Sequence, residues 1–164
     1  MDTKRTLLIG IALFSSLAAQ ACMCRSIVSL PDDEAALYMK RAVLKADEIL
    51  RVRVLNVTRL GSNTFTYIVQ VQEQFKSVSP EPMRKVVTGP DSCQLMMPTN
   101  SDWLLFIYDG RVSQCSGSAA LETNVADLVG VPASEAAVFY EQRRASTTRY
   151  MTLLRGALAG ERTR

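Results

Sequence analysis

The sequence predicts a mainly β protein with helices: a compact barrel of five short strands, one early helix and a long helix at the C-terminal end. Three observations carry this. Residues 50–57 and 65–72 alternate apolar and polar side chains on either side of Gly61-Ser62-Asn63, the pattern of a hairpin. Trp103-Leu104-Leu105-Phe106-Ile107-Tyr108 is an apolar run that ends on Asp109-Gly110, a strong turn signal. From Ala136 to Leu158 the apolar and small residues return near helical spacing for about six turns.

The chain opens with Lys4 and Arg5, an apolar stretch from Leu7 to Ala18, and Ala19-Gln20-Ala21. A basic start, an apolar middle and a small-residue site together predict a signal peptide over residues 1–21, cleaved between Ala21 and Cys22. The stretch is too short for a membrane span, which takes about 18 or more apolar residues. Subtracting 21 from 164 leaves 143 residues, enough for one sizeable core. The expected organisation is a barrel domain over 22–123 and a helical extension over 124–164, secreted or periplasmic.

Within the mature chain, Pro31-Asp32-Asp33-Glu34 opens a helix over about 32–44, with proline and acids suited to its first turn. Ala36, Met39 and Val43 make its expected apolar face. The first strand follows from Ile49; Leu50, Val52 and Val54 share one parity, Leu55 and Val57 the other, which predicts a bulge or bend near Val54. Asn56-Val57-Thr58 fits a glycosylation sequon, but three-residue matches are common and it reads rather as an ordinary strand end. The second strand carries Phe65, Tyr67, Val69 and Val71, and Phe75 breaks its alternation. Arg84–Thr88 is the third, Trp103–Tyr108 the fourth, and Arg111–Gln114 the fifth. Pro132, Ser134 and Glu135 start the last helix. Trp103 reads as core, Met96-Met97 as a packing pair, and Arg143-Arg144 as a solvated helix face.

The formal net charge is +3; a leader with Lys4, Arg5 and Asp2 carries +1 of it, leaving +2. So mild a charge, without basic runs among aromatics, predicts neither a nucleic-acid nor an anionic-membrane partner. The four cysteines, Cys22, Cys24, Cys93 and Cys115, all follow the leader, and an even count in an oxidising compartment predicts two disulfides with three pairings open. The chain has no histidine. That removes the usual general base, the usual partner of a catalytic Ser or Cys, and the commonest zinc ligand, so neither an enzyme nor a cofactor is expected.

In order, Cys22-x-Cys24 at a processed terminus, Ala46-Asp47 before Arg53-Val54-Leu55, Tyr67-x-Val69 with Phe75-Lys76, Cys93, the Trp103–Tyr108 run and Gln114-Cys115-Ser116 resemble the netrin-like module. Within it they resemble the N-terminal domain of the tissue inhibitors of metalloproteinases, over roughly residues 22–121. The resemblance implies an OB-type five-stranded barrel with Cys22 paired to Cys93 and Cys24 to Cys115. A Cys22–Cys24 bond would close a tiny strained loop. Each long bridge closes about 70 to 90 residues and is worth on the order of 4 to 5 kcal/mol as an upper value. The resemblance further implies an inhibitory ridge of Cys22, Met23, Cys24 and Arg25. The α-amine and carbonyl of Cys22 would chelate the zinc of a metalloprotease, and Met23 would enter its specificity pocket. Ser26 stands where the inhibitors usually carry proline, and their third disulfide and cysteine-rich second domain have no counterpart here.

Three other readings use the same residues. A netrin-like protein-binding or structural module would need Cys22 and Cys24 only as anchors. A thiol-disulfide oxidoreductase would cycle the pair, with Arg25 as the one adjacent cation to lower a thiol pKa. Lipidation of Cys22 would block its amine and exclude zinc chelation.

Overall fold

The computed structural model describes residues 24, 27–60, 64–77, 79–88, 95–122 and 130–162. The expected leader and cleavage site at Ala21-Cys22, the expected Gly61-Ser62-Asn63 turn and Cys93 lie outside the described residues. Helix α1 spans Asp32–Lys45, with Asp32, Asp33 and Glu34 in its first turn and Lys45 in its last, each placed to favour the helix dipole. It ends where the Ala46 amide donates to the Ala42 carbonyl at 2.9 Å. Its buried face is Ala35, Met39, Ala42 and Val43; Ala36, expected on that face, is exposed. The face is rotated one residue because Ala35 and Ala42 sit beside Met39 and Val43 at spacings of three and four.

Among the described residues six strands follow: β1 Glu48–Arg59, β2 Phe65–Lys76, β3 Met83–Thr88, β4 Asp102–Ile107, β5 Arg111–Val112 and β6 Ala119–Ala120. Their order is β5-β3-β2-β1-β4-β6. The β3–β5 pair is parallel and the rest are antiparallel. Five strands are expected from the sequence; the sixth, β6, has two residues and is too short for alternation to reveal. Helices of 14 and 30 residues make the protein mixed helix and sheet rather than mainly β.

The sheet curls through bulges. Val54 pairs with Val69 and Asn56 with Ile68, so Leu55 is an extra residue on β1, where the sequence changes phase. Phe75 and Gln72 are extra on β2: Ile49 pairs with Lys76 but Leu50 with Gln74, and Arg51 with Glu73 but Val52 with Val71. Tyr108 bridges to Arg111 across a turn in which Asp109 and Gly110 have φ of 50° and 69°. That left-handed pair suits Asp-Gly and sets β5 back beside the end of β4.

Two cores lie on opposite faces of this sheet. Ile49, Leu104 and Phe106 pack with Ala35, Met39 and Val43 of α1 and with Tyr150 and Leu154 of helix α2, which spans Ala133–Arg162. Leu50, Val52, Val54, Tyr67, Val69, Trp103, Leu105 and Ile107 fill the inside of the curl. β4 supplies both sets in alternation, so all six of its residues are buried. Met97 joins the inner core while Met96 is 60 % exposed, so the two methionines do not pack as a pair. The C-terminal half of α2 belongs to the outer core; its N-terminal half carries exposed Val138, Phe139 and Tyr140.

Candidate functional site

The candidate site is the anchorage of the chain's N-terminal side. Cys24 is bonded to Cys115, with Cα atoms 5.1 Å apart and a separation of 91 positions in sequence. Cys22, Met23, Arg25 and Cys93 lie outside the described residues, as does the proposed cleavage point. Of the residues singled out in the sequence, the geometry therefore brings Cys24 and Cys115 together.

Cys115 sits in a single 3₁₀ turn, Gln114–Ser116, directly after β5. The Ser116 hydroxyl donates to the Ser113 carbonyl at 2.6 Å and lies 2.8 Å from the Ser118 hydroxyl oxygen, which accepts from the Phe106 amide at 2.9 Å. Gly117 closes the turn at φ 92°, a conformation that side chains rarely adopt. The loop is thus tied to β4 through its own serines.

Three tyrosines from three different elements then clamp it from the helical side. Tyr38 of α1 donates to the Cys115 carbonyl at 3.3 Å, Tyr108 at the end of β4 to the Ser116 carbonyl at 2.9 Å, and Tyr150 of α2 to the Gly117 carbonyl. Three consecutive carbonyls on the disulfide loop are satisfied by side chains whose rings also pack in the outer core. Burial, then the neighbouring Tyr38 and Asp47, pushes the Tyr108 hydroxyl up to about 12. Burial raises Tyr150 as well, with Tyr38 and Tyr108 adding to it. Both remain protonated donors at neutral pH.

The segment between the disulfide and α1 is held from α2. The Arg149 guanidinium donates to the carbonyls of Val28 and Leu30, the latter at 2.7 Å, and to the Asp32 carboxylate at 2.7 Å. Ile27 is buried in the same core. Cys24 is therefore fixed by a covalent bond, and residues 28–32 by a forked cation.

A second cluster lies on the outer face of β1. Asp102 is 2 % exposed, yet it accepts from Arg53 Nε at 2.7 Å, Arg53 Nη2 at 3.1 Å and Gln72 Nε2 at 3.2 Å, with Arg51 Nη2 at 3.9 Å. Gln72 reaches it because it is a bulge residue. The Asp102 hydrogen bond and charge raise the Arg53 pKa above its ordinary value. This cluster ties β1, β2 and β4 together and presents no nucleophile or proton donor to a cleft.

Sequence spacing gave no sign of the tyrosine clamp, of Arg149 or of the Asp102 cluster. The one available signal was a tyrosine on an apolar helix face, at Tyr38 and Tyr150, where the polar tip needs a partner. Among the described residues no group of three His, Cys, Asp or Glu side chains could hold a metal ion, and no helix is long and apolar enough to cross a membrane. No protein-family model matches the chain, and no curated protein matches it significantly.

Proposed function

We propose that this is an exported, disulfide-stabilised module of the OB-type, netrin-like kind that inhibits a zinc metalloprotease through its processed N-terminus. The observation that carries the reading is the Cys24–Cys115 bridge. A terminus two residues upstream of a covalent anchor has little freedom left to lose on binding, which lowers the cost of association. The parallel β3–β5 pair and a β1 that pairs with both β2 and β4 support the barrel type.

In this mechanism the α-amine and carbonyl of Cys22 take the open positions of the target's zinc. An α-amine titrates at about 7.7 to 8.0, so a useful fraction is neutral at working pH. Met23 follows as a flexible apolar plug for the pocket beside the metal.

The test compares the mature protein beginning at Cys22 with one carrying a single alanine ahead of it, against a panel of zinc metalloproteases. Inhibition by the first and its loss in the second supports the chelating terminus. Equal inhibition by both, or none by either with Cys24–Cys115 intact, removes it. The exposed Val138, Phe139 and Tyr140 on α2 favour a second reading, a non-inhibitory protein-binding module, which the latter outcome would leave standing.

A further inference from the structure

A cleft of about 330 Å³ lies between β6 and α2, at the small end of the range for ligand pockets. Ile27, Val28, Trp103 and Leu121 give it apolar walls. Among the described residues Arg143 is the only charged one that lines it, and Ser146, one turn further along α2, faces the same space. The hydroxyls of Thr147 and Tyr150 are already committed to the Leu121 and Gly117 carbonyls. Arg143 and Ser146 have no hydrogen-bond or ion-pair partner among the described residues. The adjoining mouth carries Glu122, Glu141 and Arg144, but none of these lies in the cleft itself.

A cleft of mixed lining, with apolar walls on one part and an unspent guanidinium and hydroxyl on another, suits a small molecule that joins an anionic head to an apolar body. We propose that this cleft binds a small carboxylate with an apolar body, Arg143 taking the carboxylate as a forked donor, Ser146 adding a hydrogen bond, and the alkyl or aryl part lying against Trp103 and Leu121. The site goes beyond protease inhibition and is independent of Cys22.

Trp103 is the only tryptophan in the chain and lines the cleft as well as the inner core, so a fluorescence change that depends on Arg143 reports on the cleft. The experiment titrates the full exported protein with octanoate and, in parallel, with octan-1-ol, which has the same chain length and no charge. A saturable change with octanoate, tighter than with octanol, is expected. Arg143→Gln should weaken octanoate by at least about tenfold and leave octanol unchanged, Arg143→Lys should retain part of the preference, and Ser146→Ala should cost a few-fold. Arg143 is exposed, so circular dichroism of the variants should match the parent. Octanoate and octanol binding alike, unchanged octanoate affinity in Arg143→Gln, or no saturable signal into the millimolar range would overturn the assignment.

Discussion

Arg149 on α2 and Leu30, two residues before α1, are joined at 2.7 Å, guanidinium to carbonyl, across 119 positions of sequence. The contact assigns the C-terminal helix a task. It holds down residues 28–32, the entry to the first helix, where Ile27 is the neighbouring buried anchor.

Replacing Arg149 by Met is therefore expected to cost about 1–3 kcal/mol, the range for hydrogen bonds from a charged donor. Asp32→Asn should cost under about 0.5 kcal/mol, because Asp32 is 94 % exposed and its ion pair is surface-like. Urea unfolding of the two variants separates the carbonyl contacts from the ion pair. Equal losses would mean that the carboxylate, not the carbonyls, is what Arg149 serves.

The tyrosine clamp makes a prediction about pH. Tyr108 ionises at about 12 in the folded chain, and Tyr150 is raised too, against an ordinary value of 10.0. A raised folded pKa means that the unfolded chain loses its proton first as pH rises. The contribution of these groups is fully present below about pH 10 and is lost between about pH 10 and 12. Thermal unfolding followed from pH 8 to 12 should decline in that upper window, and the double variant Tyr108→Phe, Tyr150→Phe should decline less steeply. Tyr150→Phe alone should cost about 1–3 kcal/mol at neutral pH by leaving the Gly117 carbonyl unpaired.

The Asp102 cluster predicts an order rather than a size. Asp102 is buried while Arg51 and Arg53 keep 39 % and 42 % of their side-chain exposure. Removing the carboxylate leaves cations that water can still reach, whereas removing Arg53 leaves a buried carboxylate with Gln72 and a distant Arg51. Arg53→Met should thus lower the urea midpoint more than Asp102→Asn does. The reverse order would mean that Arg51 moves in to take the pair.

The disulfide prediction follows from its reach. Replacing Cys24 and Cys115 together by Ser should cost about 2–5 kcal/mol, as expected for opening a long loop. The variant should keep the circular dichroism of the parent, since the two cores contain neither cysteine. It should also lose any inhibition that depends on a fixed N-terminus.

Much of this fold is legible in the sequence wherever one residue type repeats along one element. The acids of α1, the phase change at Val54, the break at Phe75 and the unbroken apolar run of β4 each correspond to a feature of the structure, because each is set by local pattern. What the sequence hides is set by meetings between elements. Ala35 displaces Ala36 on the α1 face because of how the helix lies on Ile49 and Phe106. Six strands replace five because β6 needs only two residues against Trp103 and Leu104. Tyr38, Tyr108 and Tyr150 converge on one loop from positions as far as 112 residues apart, and no spacing rule joins them. Of the candidate site, Cys24 with Cys115 falls among the described residues, while Cys22 and Met23, on which the proposed chemistry rests, do not.

The most direct measurement is therefore peptide mapping by mass spectrometry, without reduction, of the protein isolated from its native source. The account predicts a mature chain that begins at Cys22 with a free α-amine and in which Cys24 is linked to Cys115. An acylated Cys22, a chain that begins elsewhere, or Cys24 bonded to a different partner would contradict it.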